Sequence, residues 1–263
     1  MAQEKMLTIM GSPGSGKTTT AIKLARALAA ERKNVIVVLC DPFTPAIPAL
    51  IPAGTEHDTS FGFLLTSPGI TQKNVLNACV PVTGSGYISL LGYRMGESLM
   101  SYPKVTRDRA LEVFVLLRYL ADYVIIDSTT VLEADPASLV AIETADIVLK
   151  MGTANLKGIS WFRTHAPMLS DSRYRKSSHF MVVGNLKAGQ DWEAVAGEFG
   201  GVDYVLPYSA ELEQQDHEMN LFLPLFSQES RPYQTEIRHI LRDAFSFPER
   251  MAQERVLHGN ESI

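Results

Sequence analysis

The sequence predicts an α/β protein: one doubly wound, mostly parallel sheet with helices on both faces, in three layers. Three observations predict it. Short, nearly all-apolar runs alternate with helix-period segments along the whole chain. The first forty residues already spell strand, helix, strand. A glycine-rich stretch joins that first strand to that first helix.

The elements follow in order. Lys5–Met10 is a short apolar run that stops at Gly11, as a buried strand does. In Thr18–Arg32, Ile22, Leu24, Ala25, Leu28 and Ala29 fall near helical spacing, with Lys23, Arg26 and Glu31 elsewhere. Asn34–Cys40 is β-branched and almost wholly apolar, which fits a strand covered on both faces. The crossover between these strands is expected to be right-handed. Residues 42–85 are rich in Pro, Gly, Thr and Ser, with short helices expected near Ser60–Thr66 and Thr71–Ala78. Tyr87–Leu91 reads as a strand. Arg107–Leu120 reads as a helix, with Leu111, Phe114, Val115 and Arg118 at helical spacing. Tyr123–Ile126 is a buried strand that ends on Asp127. Helices near Ala137–Thr144, Leu156–Leu169 and Trp192–Glu198 then alternate with strands at Ile147–Met151, Phe180–Val183 and Tyr204–Leu206. Glu236–Phe245 closes the pattern, with Ile237, Ile240, Leu241, Ala244 and Phe245 on one face, read as core packing. No internal repeat and no dividing linker is seen. Residues 1–247 therefore read as one domain and 248–263 as a C-terminal tail.

Composition narrows the function classes. The chain has 263 residues, 46% hydrophobic and 20% charged, which is globular rather than disordered. That length can bury a full core without disulfides or structural metal. Lys and Arg total 24 against 29 Asp and Glu, a net charge of −5. This argues against a broadly basic nucleic-acid-coating protein but leaves room for a local basic patch. Cys40 and Cys79 have no metal-ligand spacing and read as a buried, reduced pair. The six histidines are scattered and are read as surface or turn residues. No signal peptide and no run of ~18 apolar residues is visible. Met1-Ala2 lacks the glycine required for myristoylation. A cytoplasmic protein without a transmembrane segment is expected, either free or peripheral to a membrane machine.

The chemistry begins at Gly11-Ser12-Pro13-Gly14-Ser15-Gly16-Lys17-Thr18, which matches G-x-x-x-x-G-K-[ST]. Chance would produce this pattern in about 1% of chains this long. Its glycines let the backbone wrap a phosphate with N–H groups pointing inward. The following helix presents its positive end to the same anion. Lys17 reaches the β- and γ-phosphates, and the Thr18 hydroxyl ligates Mg²⁺. Thr19 continues the loop into the helix. The match reads as the phosphate loop, or Walker A motif, of a P-loop NTPase. Phosphoryl transfer also needs acidic groups near metal and water, and these sit just past the carboxyl ends of parallel strands. Asp41 and Asp127 occupy those positions. Asp127 is read as the Mg²⁺ aspartate. Asp41 is read as positioning water or touching the metal shell, which makes Lys17 and Asp41 the catalytic candidates. Either aspartate could instead cap a turn.

These residues, in this order, resemble the ParA/MinD (SIMIBI class) P-loop ATPases over about residues 5–245. The likeness rests on the GSPGSGKTTT loop, Cys40-Asp41-Pro42, the segment Ala121–Asp127, the strand Ala145–Leu149, Val182-Val183-Gly184-Asn185, and Leu206–Leu212. It implies that Asn185 reads adenine, with Pro207 in the loop that packs near the base. It further implies ATP/ADP and Mg²⁺ as cofactors, an ATP-dependent homodimer, and a protein partner within a pilus, secretion, conjugation or DNA partition system. The sequence departs from the family at three places. Ser12 stands where the family carries a lysine that reaches the partner's nucleotide, Pro13 replaces the next glycine, and Leu39 replaces an aspartate. Weak hydrolysis is therefore expected. The acidic balance and the missing lysine favour a pilus or secretion role, as in the TadZ/CpaE-like branch. The alternative is a nucleotide-binding scaffold with little or no turnover. Lys104, Arg107 and Arg109 read as a solvated helix start, with anion or DNA binding as the alternative, and Arg173, Arg175 and Lys176 as a polar loop, with nucleic acid or acidic lipid as the alternative.

Overall fold

The computed structural model describes residues 4–52 and 59–246. The C-terminal tail, His57 and His258 lie outside the described residues. The strands are β1 (Met6–Gly11), β2 (Val35–Leu39), β3 (Val80–Pro81), β4 (Ile88–Gly92), β5 (Tyr123–Asp127), β6 (Ile147–Gly152), β7 (Ser178–Leu186) and β8 (Tyr204–Pro207). They form one sheet in the order β3-β4-β2-β5-β1-β6-β7-β8. Every pairing is parallel except that of β3 with β4. Strand polarity and apolar composition thus agree with the sequence reading.

The helices are α1 (Lys17–Ala30), α2 (Ile47–Leu50), α3 (Phe61–Thr66), α4 (Gln72–Ala78), α5 (Arg107–Leu120), α6 (Pro136–Thr144), α7 (Leu156–Leu169), α8 (Glu193–Phe199), α9 (Ala210–His217) and α10 (Arg231–Phe245). Several start where the sequence supplies a side-chain acceptor. Ser60, Thr71, Thr106 and Asn155 cap α3, α4, α5 and α7 by accepting from the amides of Phe63, Asn74, Arg109 and Gly158. Each such cap contributes about 1 kcal/mol.

Alternate residues of the central strands feed opposite faces, because side chains alternate along a strand. Val35, Val37, Leu39, Tyr123 and Ile125 join the layer formed with α1 and α10. Ile36, Val38, Cys40, Val124 and Ile126 join the layer formed with α3, α4, α5 and α6. Burying each of these larger apolar side chains stabilises the fold by about 1.5–3 kcal/mol. The buried face of α10 carries the apolar residues expected of it: Ile237, Ile240, Leu241, Ala244 and Phe245. Cys40 and Cys79 are free and buried, and burial pushes the Cys79 thiol up to about 12. Both are therefore inert, as expected. No described helix is long and apolar enough to cross a membrane.

Some features depart from the sequence reading. The helix α2, the two-residue strand β3 and the helix α9 are additional. α2 and β3 are too short for periodicity to register, and β3 includes a proline. α9 is AELEQQDH, with Leu212 and Gln215 its only buried residues, so it shows no apolar stripe. His165 is buried rather than superficial, stacked on Trp161 with ring centroids 4.2 Å apart. The anion-binding alternatives at the basic residues are weakened by pairing. Arg107 pairs with Glu143, Arg109 with Glu112, and Arg173 with Asp171.

One carboxylate fastens the start of the central strand. Asp146 accepts from the amides of Lys5 and Met6 at 2.8 and 2.9 Å and pairs with Arg118 at 2.8 Å. Burial alone would raise its pKa, but the Arg118 bonds and the two amides hold it below the usual value. A depressed carboxylate stabilises the fold above its unfolded pKa, and that stability is lost as pH falls through the folded value. Asp146→Asn is expected to cost about 1–2 kcal/mol at pH 7. In urea melts the penalty should shrink below about pH 3–4.

Candidate functional site

The site lies where chain direction divides. From β1 the sheet runs through β5 and β2 on one side and through β6, β7 and β8 on the other. A crevice outside the strand ends at such a switch point is where open α/β sheets hold ligands. The register is close: Ile9 pairs with Asp127, Asp127 also pairs with Leu39, and Gly11 pairs with Met151. Three strand ends thus deliver Gly11, Asp127 and Cys40-Asp41 to one edge.

The loop Gly11–Gly16 turns there into α1. Gly11 has φ 154°, and a Cβ on it would stand 1.9 Å from the Met151 carbonyl oxygen. Only glycine fits. Gly14 and Gly16 also take positive φ, at 72° and 84°. Ser15 is buried, and its hydroxyl donates to the Ser12 carbonyl at 2.8 Å, which closes the loop on itself. Pro13 sits exposed on its crest. Ser12 is fully buried: its amide donates to the Met151 carbonyl at 2.9 Å and its hydroxyl accepts from the Thr153 amide at 3.2 Å. The side chain at the position of the family lysine thus staples the loop to the end of β6.

Lys17 and Thr18 open α1. Burial draws the Lys17 ammonium pKa down, against the opposing pull of Asp127 and Asp41. The Thr18 hydroxyl donates to Asp127 Oδ2 at 2.5 Å. The other oxygen, Asp127 Oδ1, is buried and has no hydrogen-bond partner. Burial pushes the Asp127 carboxyl up to about 6, with Lys17 and Thr18 acting the other way. An unpaired carboxylate oxygen beside a threonine hydroxyl suits a hard divalent cation. No cluster of three or more metal-ligating side chains occurs among the described residues. Mg²⁺ takes one or two protein ligands and completes its shell with phosphate and water.

Asp41 stands at the expected strand end, but its carboxylate is engaged in its own turn. Oδ1 accepts from the Phe43 and Thr44 amides at 2.8 and 3.3 Å, and Oδ2 accepts from the Thr44 hydroxyl at 2.9 Å. It contributes charge to the site without contacting Thr18 or Asp127 through any of these bonds.

On the other side of the loop lies a cleft of about 180 Å³. Ser15, Gly16, Thr19, Asn185 and Pro207 line it, so the loop and the two residues expected near a base come together. Asn185 takes φ 53°, and its amide donates to the Gly14 carbonyl at 3.2 Å. Tyr208, Leu212, Glu213, Asp216 and Tyr233 also form part of its wall. Tyr208 and Leu212 fall within the Leu206–Leu212 segment read from the sequence. Tyr233 went unread because it precedes the apolar stripe of α10. Gly184 is a further overlooked residue: a Cβ there would stand 2.0 Å from the Ser15 carbonyl oxygen. Its only sequence signal is a glycine at the end of an apolar strand.

A family model described as the CobQ/CobB/MinD/ParA nucleotide binding domain matches residues 7–221. The chain belongs to this family. Solved structures agree in fold. A ParA family ATPase from Chlorobium tepidum TLS superposes with a TM-score of 0.73 at 14% identity, covering 91% of this chain and 100% of that one. The septum site-determining protein MinD of Pyrococcus horikoshii OT3, complexed with Mg-ADP, gives 0.68 at 14%, covering 91% and 97%. A putative plasmid partition protein from Borrelia burgdorferi B31, bound to AMPPNP, gives 0.67 at 18%, covering 92% and 99%. No curated protein matches the chain significantly by sequence. Within the ParA/MinD group, the TadZ/CpaE-like branch is not singled out.

Two outcomes test this site. A carboxyl raised by burial favours folding when protonated, so its contribution falls as pH rises from about 4 to about 6. Asp127→Asn should therefore stabilise the ligand-free protein at pH 7 by roughly 1–3 kcal/mol. The gain should vanish near pH 4 in denaturant melts. Gly184→Val should leave the sheet folded by circular dichroism but displace Ser15 and weaken nucleotide binding by about tenfold or more, read by calorimetry.

Proposed function

We propose that the protein is an ATP- and Mg²⁺-dependent switch that hydrolyses ATP weakly and positions or regulates a cytoplasmic or membrane-associated machine. The observation that carries this reading is Asp127, bonded to Thr18 through one oxygen and unpaired at the other, beside a complete phosphate loop. Thr18 and Asp127 would hold Mg²⁺, which supplies charge neutralisation across the β- and γ-phosphates. The loop amides and Lys17 orient the triphosphate in this reading, and Asn185 and Pro207 flank the adenine. Asp41 would orient the attacking water once its carboxylate leaves the Thr44 turn. Solved structures of similar fold bound to AMPPNP and complexed with Mg-ADP support the choice of ligand. A MinC:MinD complex from Aquifex aeolicus supports a protein partner for the group. An ATP-dependent homodimer belongs to the same reading, as does a role in pilus, secretion, conjugation or partition machinery of the TadZ/CpaE-like kind.

A second reading is a nucleotide-binding scaffold without turnover. Ser12 favours it, because this position supplies a buried hydroxyl and no cation. Phosphate release with ATP and Mg²⁺ separates the two: tight binding with no release above blank selects the scaffold.

ATP with Mg²⁺ at 100-fold over Kd should stabilise the protein by ~2.7 kcal/mol. That corresponds to a rise in Tm of roughly 5–10 °C for a chain this size. GTP should do less. Lys17→Ala should abolish the ATP shift while keeping the fold, and an unchanged ATP affinity by calorimetry would refute the phosphate-loop assignment.

A further inference from the structure

Between α9 and α10 runs an irregular strap, residues 218–230. Short backbone turns close its two ends, and side chains hold the backbone of residues 221–227 between them. Lys23, buried in α1, donates to the carbonyls of Leu221 and Leu223 at 2.8 and 2.9 Å. Arg26 donates to the Phe222 carbonyl at 2.8 Å. Gln215 takes the Pro224 carbonyl at 3.0 Å, and Gln234 the Leu225 carbonyl at 2.7 Å. Glu211 accepts from the amides of Phe226 and Ser227 at 2.7 and 3.1 Å. Five consecutive carbonyls and the next two amides are thus fixed from three helices.

The strap sorts its apolar side chains. Leu221 is buried, and Phe222 and Leu225 pack on the core. Phe226 remains 80% exposed, Leu223 49% and Met219 40%. A free loop would let such groups fold back onto apolar surface; these bonds hold the backbone against that. An anchored backbone also lowers the ordering cost of docking.

The chain leading into and through the strap carries one sign of charge. Residues 188–230 contain no Lys or Arg and nine acidic residues: Asp191, Glu193, Glu198, Asp203, Glu211, Glu213, Asp216, Glu218 and Glu229. Glu218 and Glu229, within the strap, are exposed, as are Glu213 and Asp216 on α9, which also line the cleft. Lys23 and Arg26 are spent on the strap's own carbonyls, and the exposed Arg231 is the first cation beyond the strap. Apolar anchors inside an acidic rim complement a segment with the opposite pattern. We propose that the strap, through Leu223 and Phe226, is a docking surface for a protein segment that presents apolar residues flanked by Lys or Arg. The acidic rim repels an anionic lipid surface, and a second copy of this face would meet it with like charge.

The test uses the full-length protein and an amphipathic peptide of Leu and Lys, with Glu-for-Lys and Ser-for-Leu versions as controls. The Leu/Lys peptide should bind, weaken with added salt, and lose about tenfold in affinity to the Leu223→Ser, Phe226→Ser double variant. Both control peptides should bind at least about tenfold more weakly. If the serine variant misfolds by circular dichroism, Glu218→Lys with Glu229→Lys should produce a comparable loss. Absent binding, binding indifferent to these variants, or equal binding of a control peptide would overturn the proposal. So would Phe226-dependent sedimentation with phosphatidylserine vesicles, or a light-scattering mass that falls on Phe226→Ser, since these assign the face to lipid or to a second copy. None of these readouts requires nucleotide, so the outcome is independent of the ATP assignment.

Discussion

The hydrogen bond from Thr18 to Asp127 is the joint on which the site depends. One partner opens α1, and the other ends β5. The bond can form only because β5 lies beside β1 with Asp127 level with Ile9, two residues short of the loop. That register in turn rests on the alternating apolar residues that both helical layers bury. The core thus sets the position of a carboxylate that water alone would keep ionised and mobile. Its cost is visible in the raised pKa of Asp127 and the lowered pKa of Lys17, two charges partly desolvated and left to a ligand to balance.

Much of this was legible in the sequence. The parallel core was, because strands covered on both faces must be apolar throughout, as Val35–Leu39 and Tyr123–Ile126 are. Gly11, Lys17, Thr18 and Asp127 were, because a phosphate loop constrains residue type at fixed spacing. The meeting of Asn185 and Pro207 at the cleft was reached only through resemblance. Other features depend on tertiary approach and leave little local signal. Gly184 matters because Ser15, far away in the sequence, lies against it. Tyr233 lines the cleft because α10 crosses α1, where its hydroxyl lies 3.3 Å from Thr20 Oγ1. α9 is helical through a Ser209 cap and packing of Leu212, with too few apolar residues to show a period. Asp41 occupied the expected place, yet its own turn claims both oxygens, a local competition that strand-end reasoning does not weigh.

Ser12 and the strap share a physical theme. In each, a polar side chain fixes backbone that another protein of this fold could leave free. Ser12 ties the crest of the phosphate loop to Thr153. Lys23 and Arg26, on the helix that the loop begins, grip residues 221–223. The loop, α1 and the strap are therefore parts of one braced unit, with burial drawing Lys23 down to about 8 as a mark of how enclosed that brace is.

The sheet ends in proline on both outer strands: Pro81 on β3 and Pro207 on β8. A proline has no amide hydrogen to offer to a neighbouring chain. The outermost rungs therefore cannot template another strand along their full length, and these strands are only two and four residues long. Short, proline-ended borders protect a large parallel sheet from stacking edge to edge into fibrils. Any assembly this protein enters must then be built through its loops and helices, where contacts can be made and undone, and not by lengthening the sheet.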